Sequence, residues 1–221
     1  MTTTDWHGLA IEQLTWHWEH HARPRLDGLT DEEYLWEPVL GAWSIRPRGT
    51  GATAQAAGGG AFEIDWEYPE PSPAPVTTIA WRLGHVIVGI FGGRAAAHFG
   101  FRDCGVLTWE YAGTAAGALA QLDETYAAWL AGVRGLDDAA LARPVGEAEG
   151  PFAEHPMAEL VLHINREAIH HLAEVALLRD LWANRPRSEP RHGRSGVAEW
   201  AADRVTGPGA QARPGGPTLA P

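Results

Sequence analysis

Four long segments carry hydrophobic residues at helical spacing, and this pattern limits the fold more than any other feature. They run from about Trp6 to Leu26, from Thr77 or Thr78 to about His98, from about Thr114 to Val133, and from about Pro156 to Trp182. Little of the remaining sequence alternates as a strand does. We therefore predict an all-α fold, a four-helix bundle with loops between the long helices.

An irregular insertion separates the first two long helices. Thr30 and Glu33 form a capping box, which predicts a short helix over 31–36. Residues 38–76 follow and are rich in Gly, Ala and Pro, as is typical of a functional or mobile loop. Within them FEIDWEY, residues 62–68, alternates and could form a strand. We predict a bundle domain over 1–183 and a Pro/Gly/Arg-rich tail over 184–221, with one short helical turn near 197–204.

Charge and composition exclude several classes of partner. The net charge of −11 repels nucleic-acid phosphates and anionic membrane surfaces. The sequence has neither a signal-peptide pattern nor an apolar run of about 18 residues, so we expect no membrane span. A single cysteine, Cys104, cannot form an internal disulfide, which favours a cytoplasmic protein. We interpret Cys104 as a loop or core thiol rather than a nucleophile.

The fourth helical segment carries a carboxylate and an imidazole on one face. Glu167 and His171 are four residues apart, a spacing that points both side chains in the same direction. Leu160 and Ile164 lie along the same stripe, so this face should be buried. Burying both polar groups without a partner is costly, and a divalent metal suits both at once. The pair therefore predicts a metal site.

A metal site of this kind needs a third protein ligand, and His85 is the best candidate. It lies in the middle of the apolar second helix, where Gly84 and Gly89 should leave room above the imidazole. Two further residues of the fourth segment are candidates for supporting roles. His163 lies one turn before the pair as an alternative ligand or a packing residue, and Glu174 could orient a ligand imidazole.

Other histidine patterns give weaker metal predictions. Glu167 and His170 have the Glu-x-x-His spacing of di-iron bundles, but the second copy that such sites need falls in the tail, so we reject this interpretation. We expect His170 to point away from His171, towards another helix or solvent. His17 is a pocket candidate on the first helix, where the histidines otherwise suggest a polar face. Trp43 and Trp81 are candidates for the pocket wall.

These motifs resemble those of the DinB-like superfamily of metal-binding four-helix bundles. The resemblance covers about residues 6–183 and rests on LDGLTDEEYLWEP, GAWSIRP, TTIAWRLGHV and EAIHHLAEVALLRDL. It implies the metal ligands His85, Glu167 and His171. A glutamate at the first position of the helical pair is similar to the mycothiol-dependent maleylpyruvate isomerase branch. The insertion over 38–76 is not a general feature of the superfamily.

The resemblance implies a metal-dependent enzyme that activates a low-molecular-weight thiol for S-transfer to, or isomerisation of, a small electrophilic substrate. We expect zinc, with nickel or iron as alternatives, and mycothiol as the thiol. Two other functions remain open: hydrolysis by a metal-bound water, and non-catalytic binding of a metal or small molecule. A homodimer is compatible with the resemblance, and we expect no nucleic-acid partner.

Overall fold

The structure is a computed structural model that describes residues 4–186. Helices dominate these residues, and their one sheet has two strands, which confirms the predicted predominance of helix. In chain order the elements are α1 (Trp6–His17), a π-helical turn (Trp18–Ala22), a 3₁₀ turn (Pro24–Leu26), α2 (Asp31–Tyr34), β1 (Ile45–Pro47), β2 (Phe62–Ile64), α3 (Ile79–His85), a π-helical segment (Val86–Gly92), α4 (Gly93–Phe99), α5 (Ala115–Arg134), α6 (Asp138–Leu141), a 3₁₀ segment (Glu147–Phe152) and α7 (Met157–Ala183).

The long helices begin close to the predicted positions because their capping residues are in place. The Thr78 hydroxyl accepts from the Trp81 N–H at 3.2 Å, and the Thr114 hydroxyl accepts from the Gly117 N–H at 3.2 Å. Pro156 precedes α7, where a missing N–H costs nothing. The predicted tail turn near 197–204 lies outside the described residues, and the domain boundary at 183 stays a prediction.

The long helical segments share one hydrophobic core. α7 packs against α1 and α3, and the π-helical segment Val86–Gly92 packs against α5. Trp18 stacks on Tyr126 with ring centroids 3.8 Å apart, and Trp129 and Ile164 are fully buried. Cys104 is buried as well, and desolvation raises the pKa of its thiol to about 12. None of the described helices is both long and apolar enough to cross a membrane.

The second long helix differs from the uninterrupted α-helix that we predicted. Its middle is π-helical from Val86 to Gly92. A Cβ on Gly92 would lie 2.4 Å from Cys104 Sγ, so only glycine lets the loop after α4 approach this closely. Gly84 also acts differently from expectation. A Cβ there would meet Ile45 and Ile64 at 3.0 and 3.2 Å, so Gly84 makes room for the strands rather than for His85.

The insertion over 38–76 is more ordered than its composition predicts. β1 and β2 pair antiparallel, with Ile45 opposite Ile64. The fully buried Asp65 carboxylate accepts from the Ser44 N–H at 2.9 Å, from Arg46 Nε at 3.0 Å and from the Ala52 N–H at 2.6 Å. This buried carboxylate satisfies donors from separate turns and so holds the insertion together.

Candidate metal centre

Glu167 and His171 share a face of α7, as their spacing requires. Glu167 Oε2 lies 3.6 Å from His171 Nε2. The His171 side chain is 11% exposed and that of Glu167 is 25% exposed, so His171 is nearly buried and Glu167 is partly buried. The distance is too long for a hydrogen bond. It is close to the separation of about 3.4 Å expected for two ligands bound tetrahedrally to one zinc ion.

His85 faces this pair from the end of α3. Its ring centroid lies 4.7 Å from that of His171, with the ring planes nearly perpendicular at 87°. Trp81 stacks on its face, with centroids 5.3 Å apart. A Cβ on Gly89 would lie 3.2 Å from His85 Nδ1 and Cε1, so this glycine does leave room for the imidazole. Across residues 4–186 no side-chain hydrogen bond involves the His85 ring, which leaves its nitrogens available to a ligand.

Glu174 fixes the orientation of His171. Its Oε2 lies 2.8 Å from His171 Nδ1, and Arg82 Nε approaches the same oxygen at 3.2 Å. An ionised carboxylate only accepts hydrogen bonds, so Nδ1 must donate. In the neutral imidazole Nε2 then carries the lone pair, and this atom points towards Glu167. Metal-binding histidines are commonly held by a carboxylate in this way.

Burial and neighbouring charges shift the pKa values of two of the three predicted ligands, His85 and Glu167, in directions that favour cation binding. Desolvation, with the charges of His171 and Arg82, lowers the pKa of His85 to about 4, so this imidazole is neutral at neutral pH. Burial alone would raise the pKa of Glu167, but the hydrogen bond from Arg166 and the nearby histidine charges outweigh it and lower the pKa. Imidazole and carboxylate donors together suit zinc, nickel or iron.

A second group of α7 residues could also hold a metal ion. His170, His171 and Glu174 can each bring a ligand atom within 4.8 Å of the others. Among the described residues, the three predicted ligands are not drawn together to this extent. We set His170 aside in the sequence because we expected it to point away from His171. Its side chain is 62% exposed, as expected, but its ring centroid lies 4.9 Å from that of His171. The signal that could have found it is its spacing of four residues from Glu174.

The remaining predicted residues fall into two groups. Trp43 and Trp81 line a cavity of about 440 Å³ together with His85 and His171; we call it the His85 cavity. His163 and His17 do not line it. His163 Nδ1 lies 3.6 Å from Glu167 Oε1 and 2.5 Å from Arg166 Nη2. His17 lies on α1, where its ring packs against His21 at 5.9 Å.

The insertion supplies cavity residues that the sequence analysis did not identify. Trp66, Glu67, Tyr68 and Glu70 all line the His85 cavity, as does Arg82 from α3. Trp66, Glu67 and Tyr68 belong to the alternating stretch 62–68. This alternation predicts a strand, but it does not show that the residues at its end face a cavity. The insertion is therefore part of the site.

A family model described as the DinB superfamily matches residues 60–175. The match spans more than half of the chain and includes His85, Glu167 and His171. The chain belongs to the DinB superfamily. No curated protein and no solved structure matches it. Membership agrees with a largely helical fold that can bind a metal, and it leaves the branch and the reaction to be argued from the site.

Proposed function

We propose that this DinB-superfamily protein is a metal-dependent enzyme built on a four-helix bundle, with His85, Glu167 and His171 as the metal ligands. The observation that carries the proposal is the arrangement around His171. Nδ1 is occupied by Glu174 at 2.8 Å, while Nε2 faces Glu167 at 3.6 Å and the ring meets that of His85. The imidazole is held with its lone pair towards the other two ligands.

The same distances favour this set over His170, His171 and Glu174. The 2.8 Å contact between His171 and Glu174 has the length of a hydrogen bond, whereas two ligands of one zinc ion are about 3.4 Å apart. Arg82 also forms an ion pair with Glu174, so the negative charge of this carboxylate is already balanced. His170 is largely exposed, while His85 and His171 face the cavity in which a substrate would bind.

We further propose that the substrate pair is a low-molecular-weight thiol, such as mycothiol, and a small electrophile. A divalent cation at this site would lower the pKa of a bound thiol, which is the chemistry that it would supply. Glu167 contributes one negative charge and the neutral imidazoles none, which leaves one positive charge to match one thiolate. The cavity, walled by Trp43, Trp81 and Tyr111, would hold the electrophilic carbon so that the thiolate sulfur could bond to it while a leaving group, such as the chloride of an aryl chloride, departs.

Metal analysis of purified variants tests the ligand set. We expect His85→Ala, Glu167→Ala and His171→Ala each to lose most of the bound metal. His170→Ala and the control His20→Ala, an exposed histidine in the π-helical turn after α1, should retain it. Loss of metal in His170→Ala together with retention in His85→Ala would assign the site to the other group.

A reaction with mycothiol and 1-chloro-2,4-dinitrobenzene tests the thiol chemistry. Mass spectrometry should detect a thioether product whose formation requires the metal and is lost in His171→Ala.

One observation favours metal-dependent hydrolysis as a second candidate: Glu67 and Glu70 line the cavity, and a carboxylate there could act as the general base. Ester hydrolysis without any thioether, abolished by Glu67→Gln or Glu70→Gln, would select that function instead.

A further inference from the structure

A second cavity lies along the same helices and has no role in the proposed function. Its volume is about 520 Å³, and Arg94 of α4, the loop over 144–156 and the first turns of α7 line it; we call it the Arg94 cavity. It shares no lining residue with the His85 cavity. Its size falls within the range of about 300–1,000 Å³ that is typical of small-molecule sites.

Backbone hydrogen bonds join the two ends of the loop over 144–156, which forms one wall of this cavity. The Val145 N–H donates to the His155 carbonyl at 2.9 Å, and the Gly146 N–H donates to the Ala153 carbonyl at 2.8 Å. The loop thereby carries Glu149 back to α4, where its buried Oε1 contacts His98 Nε2 at 2.8 Å. These contacts form the wall without a ligand, so a bound molecule would not have to order the loop.

The polar groups of the Arg94 cavity have spare donors rather than spare acceptors. Glu149 is engaged by His98, and Glu159 Oε1 lies 2.9 Å from His155 Nδ1. Arg94 Nε is buried and forms an ion pair with Glu149 Oε2 at 3.3 Å, while the Arg94 side chain as a whole is 32% exposed. Among the described residues no hydrogen bond uses its Nη1 or Nη2 atoms, and an arginine pairs well with a second carboxylate through such donors.

The rest of the lining is apolar and partly uncovered. Phe152 is 60% exposed and Leu162 is 56% exposed, and the buried Leu160 lies beside them in the lining. Large apolar side chains at the edge of a cavity gain most when the apolar part of a ligand covers them. A fitting molecule therefore combines an anionic head with an apolar body.

We propose that the Arg94 cavity is a second ligand site, for a small amphipathic carboxylate. Its carboxylate pairs with the Arg94 guanidinium, and its apolar body packs against Phe152 and Leu162. A cationic head is disfavoured because both carboxylates of the lining are already engaged by histidines. The proposal does not depend on the metal ligands or on the reaction in the His85 cavity.

Titration calorimetry on the full chain, with and without metal, tests this site with hexanoate, decanoate and 4-phenylbutyrate. At least one carboxylate should bind with saturation, and its neutral amide should bind about tenfold more weakly because the charge-assisted pair with Arg94 is lost. Arg94→Gln should weaken carboxylate binding to a similar extent. Equal affinity for acid and amide, or no saturable binding of any of the three acids up to roughly 10 mM, would overturn the proposal.

A second variant guards against indirect effects, because Arg94→Gln could loosen the loop through Glu149. Leu162→Asp places a negative charge in the cavity lining without removing a buried contact. Leu177→Asp is the matched control, since Leu177 is on the same helix, is 59% exposed and lies outside the cavity. We expect Leu162→Asp to weaken carboxylate binding about tenfold and Leu177→Asp to leave it unchanged. Equal effects of the two substitutions would assign binding to another part of the protein.

Discussion

Two walls of the candidate metal centre are built in different ways, and of the α7 residues only His171 also lines the His85 cavity. The α7 wall carries Glu167, His171 and Glu174 within eight consecutive residues of one helix, so local geometry alone brings them together. The other wall joins α3 to the insertion, and contacts distant in sequence hold it. Trp81 Nε1, for example, donates to the Asp65 carbonyl at 2.8 Å.

The two walls also differ in the forces that stabilise them. Charges organise the α7 wall, where Arg82 contacts Glu174 and Arg166 contacts Glu167. Burial and close packing stabilise the other wall. The Asp65 carboxylate is fully buried, and a Cβ on Gly84 would meet Ile45 and Ile64. Changes in the α7 wall should therefore act mainly on metal affinity. In the other wall, changes at Asp65 should act mainly on stability, whereas changes beside His85 should act on metal affinity.

Asp65→Ala should have the largest effect on stability. It removes a fully buried carboxylate, leaves the Ser44 and Ala52 N–H groups without their acceptor, and takes from Arg46 one of its two carboxylate partners, the other being Glu37. We expect the free energy of unfolding to fall by about 3–5 kcal/mol, as when one partner of a buried ion pair is removed. Urea denaturation measures this loss, and hydrogen exchange should show faster opening of the insertion. Asp103→Ala, at an exposed position, is the control. Equal stability of the two variants would contradict the role given to Asp65.

The pH dependence of stability tests how deeply His85 is buried. Its folded-state pKa is lowered from 6.5 to about 4 by desolvation and by the charges of His171 and Arg82, against the opposing charges of Glu167 and Glu174. Between these values the unfolded chain binds a proton that the folded one does not, so stability should fall as the pH decreases through this window. The loss attributable to His85 is at most about 3 kcal/mol.

Urea midpoints of the metal-free protein at about pH 7 and about pH 4.5 measure this dependence. His85→Asn should show a smaller difference between the two midpoints, because it removes the titrating group. An unchanged difference would mean that His85 is hydrated in the folded state.

The difference between the walls also explains what the sequence could predict. The spacing of Glu167 and His171 was sufficient to place them on one face, and threonine caps located the starts of the helices. The ordering of the insertion was not predictable, because it depends on Asp65 reaching donors 13 to 21 residues away. Nor was the π-helical segment after His85, since its glycines indicate close approach without naming the neighbour.

Glu174→Ala should act on the metal rather than on stability. Without the carboxylate at 2.8 Å, His171 is free to rotate and to change its tautomer. We expect metal affinity to fall by about 10–100-fold, the usual effect of losing such a partner. Competition with a metal chelator measures the change. Glu159→Ala is the matched control, since Glu159 forms a similar 2.9 Å contact with His155 outside the His85 cavity. If both variants bind metal like the original chain, Glu174 does not position His171.

Gly89→Ala and Gly84→Ala should distinguish two parts of the wall formed by α3 and the insertion: the surroundings of His85 and the contact with the strands. The new Cβ at 89 would lie 3.2 Å from two atoms of the His85 ring, which must shift by a few tenths of an ångström. At 84 it would instead meet the methyl ends of Ile45 and Ile64, which can move without disturbing His85. We expect Gly89→Ala to lower metal affinity a few-fold, by about 1 kcal/mol, and Gly84→Ala to leave it unchanged. Alanine also favours helix over glycine by about 1 kcal/mol, so neither variant should lose much stability. If Gly84→Ala weakened metal binding as strongly as Gly89→Ala, the strands and the ligand histidine would move as one unit, and Gly84 would not act independently of the metal centre.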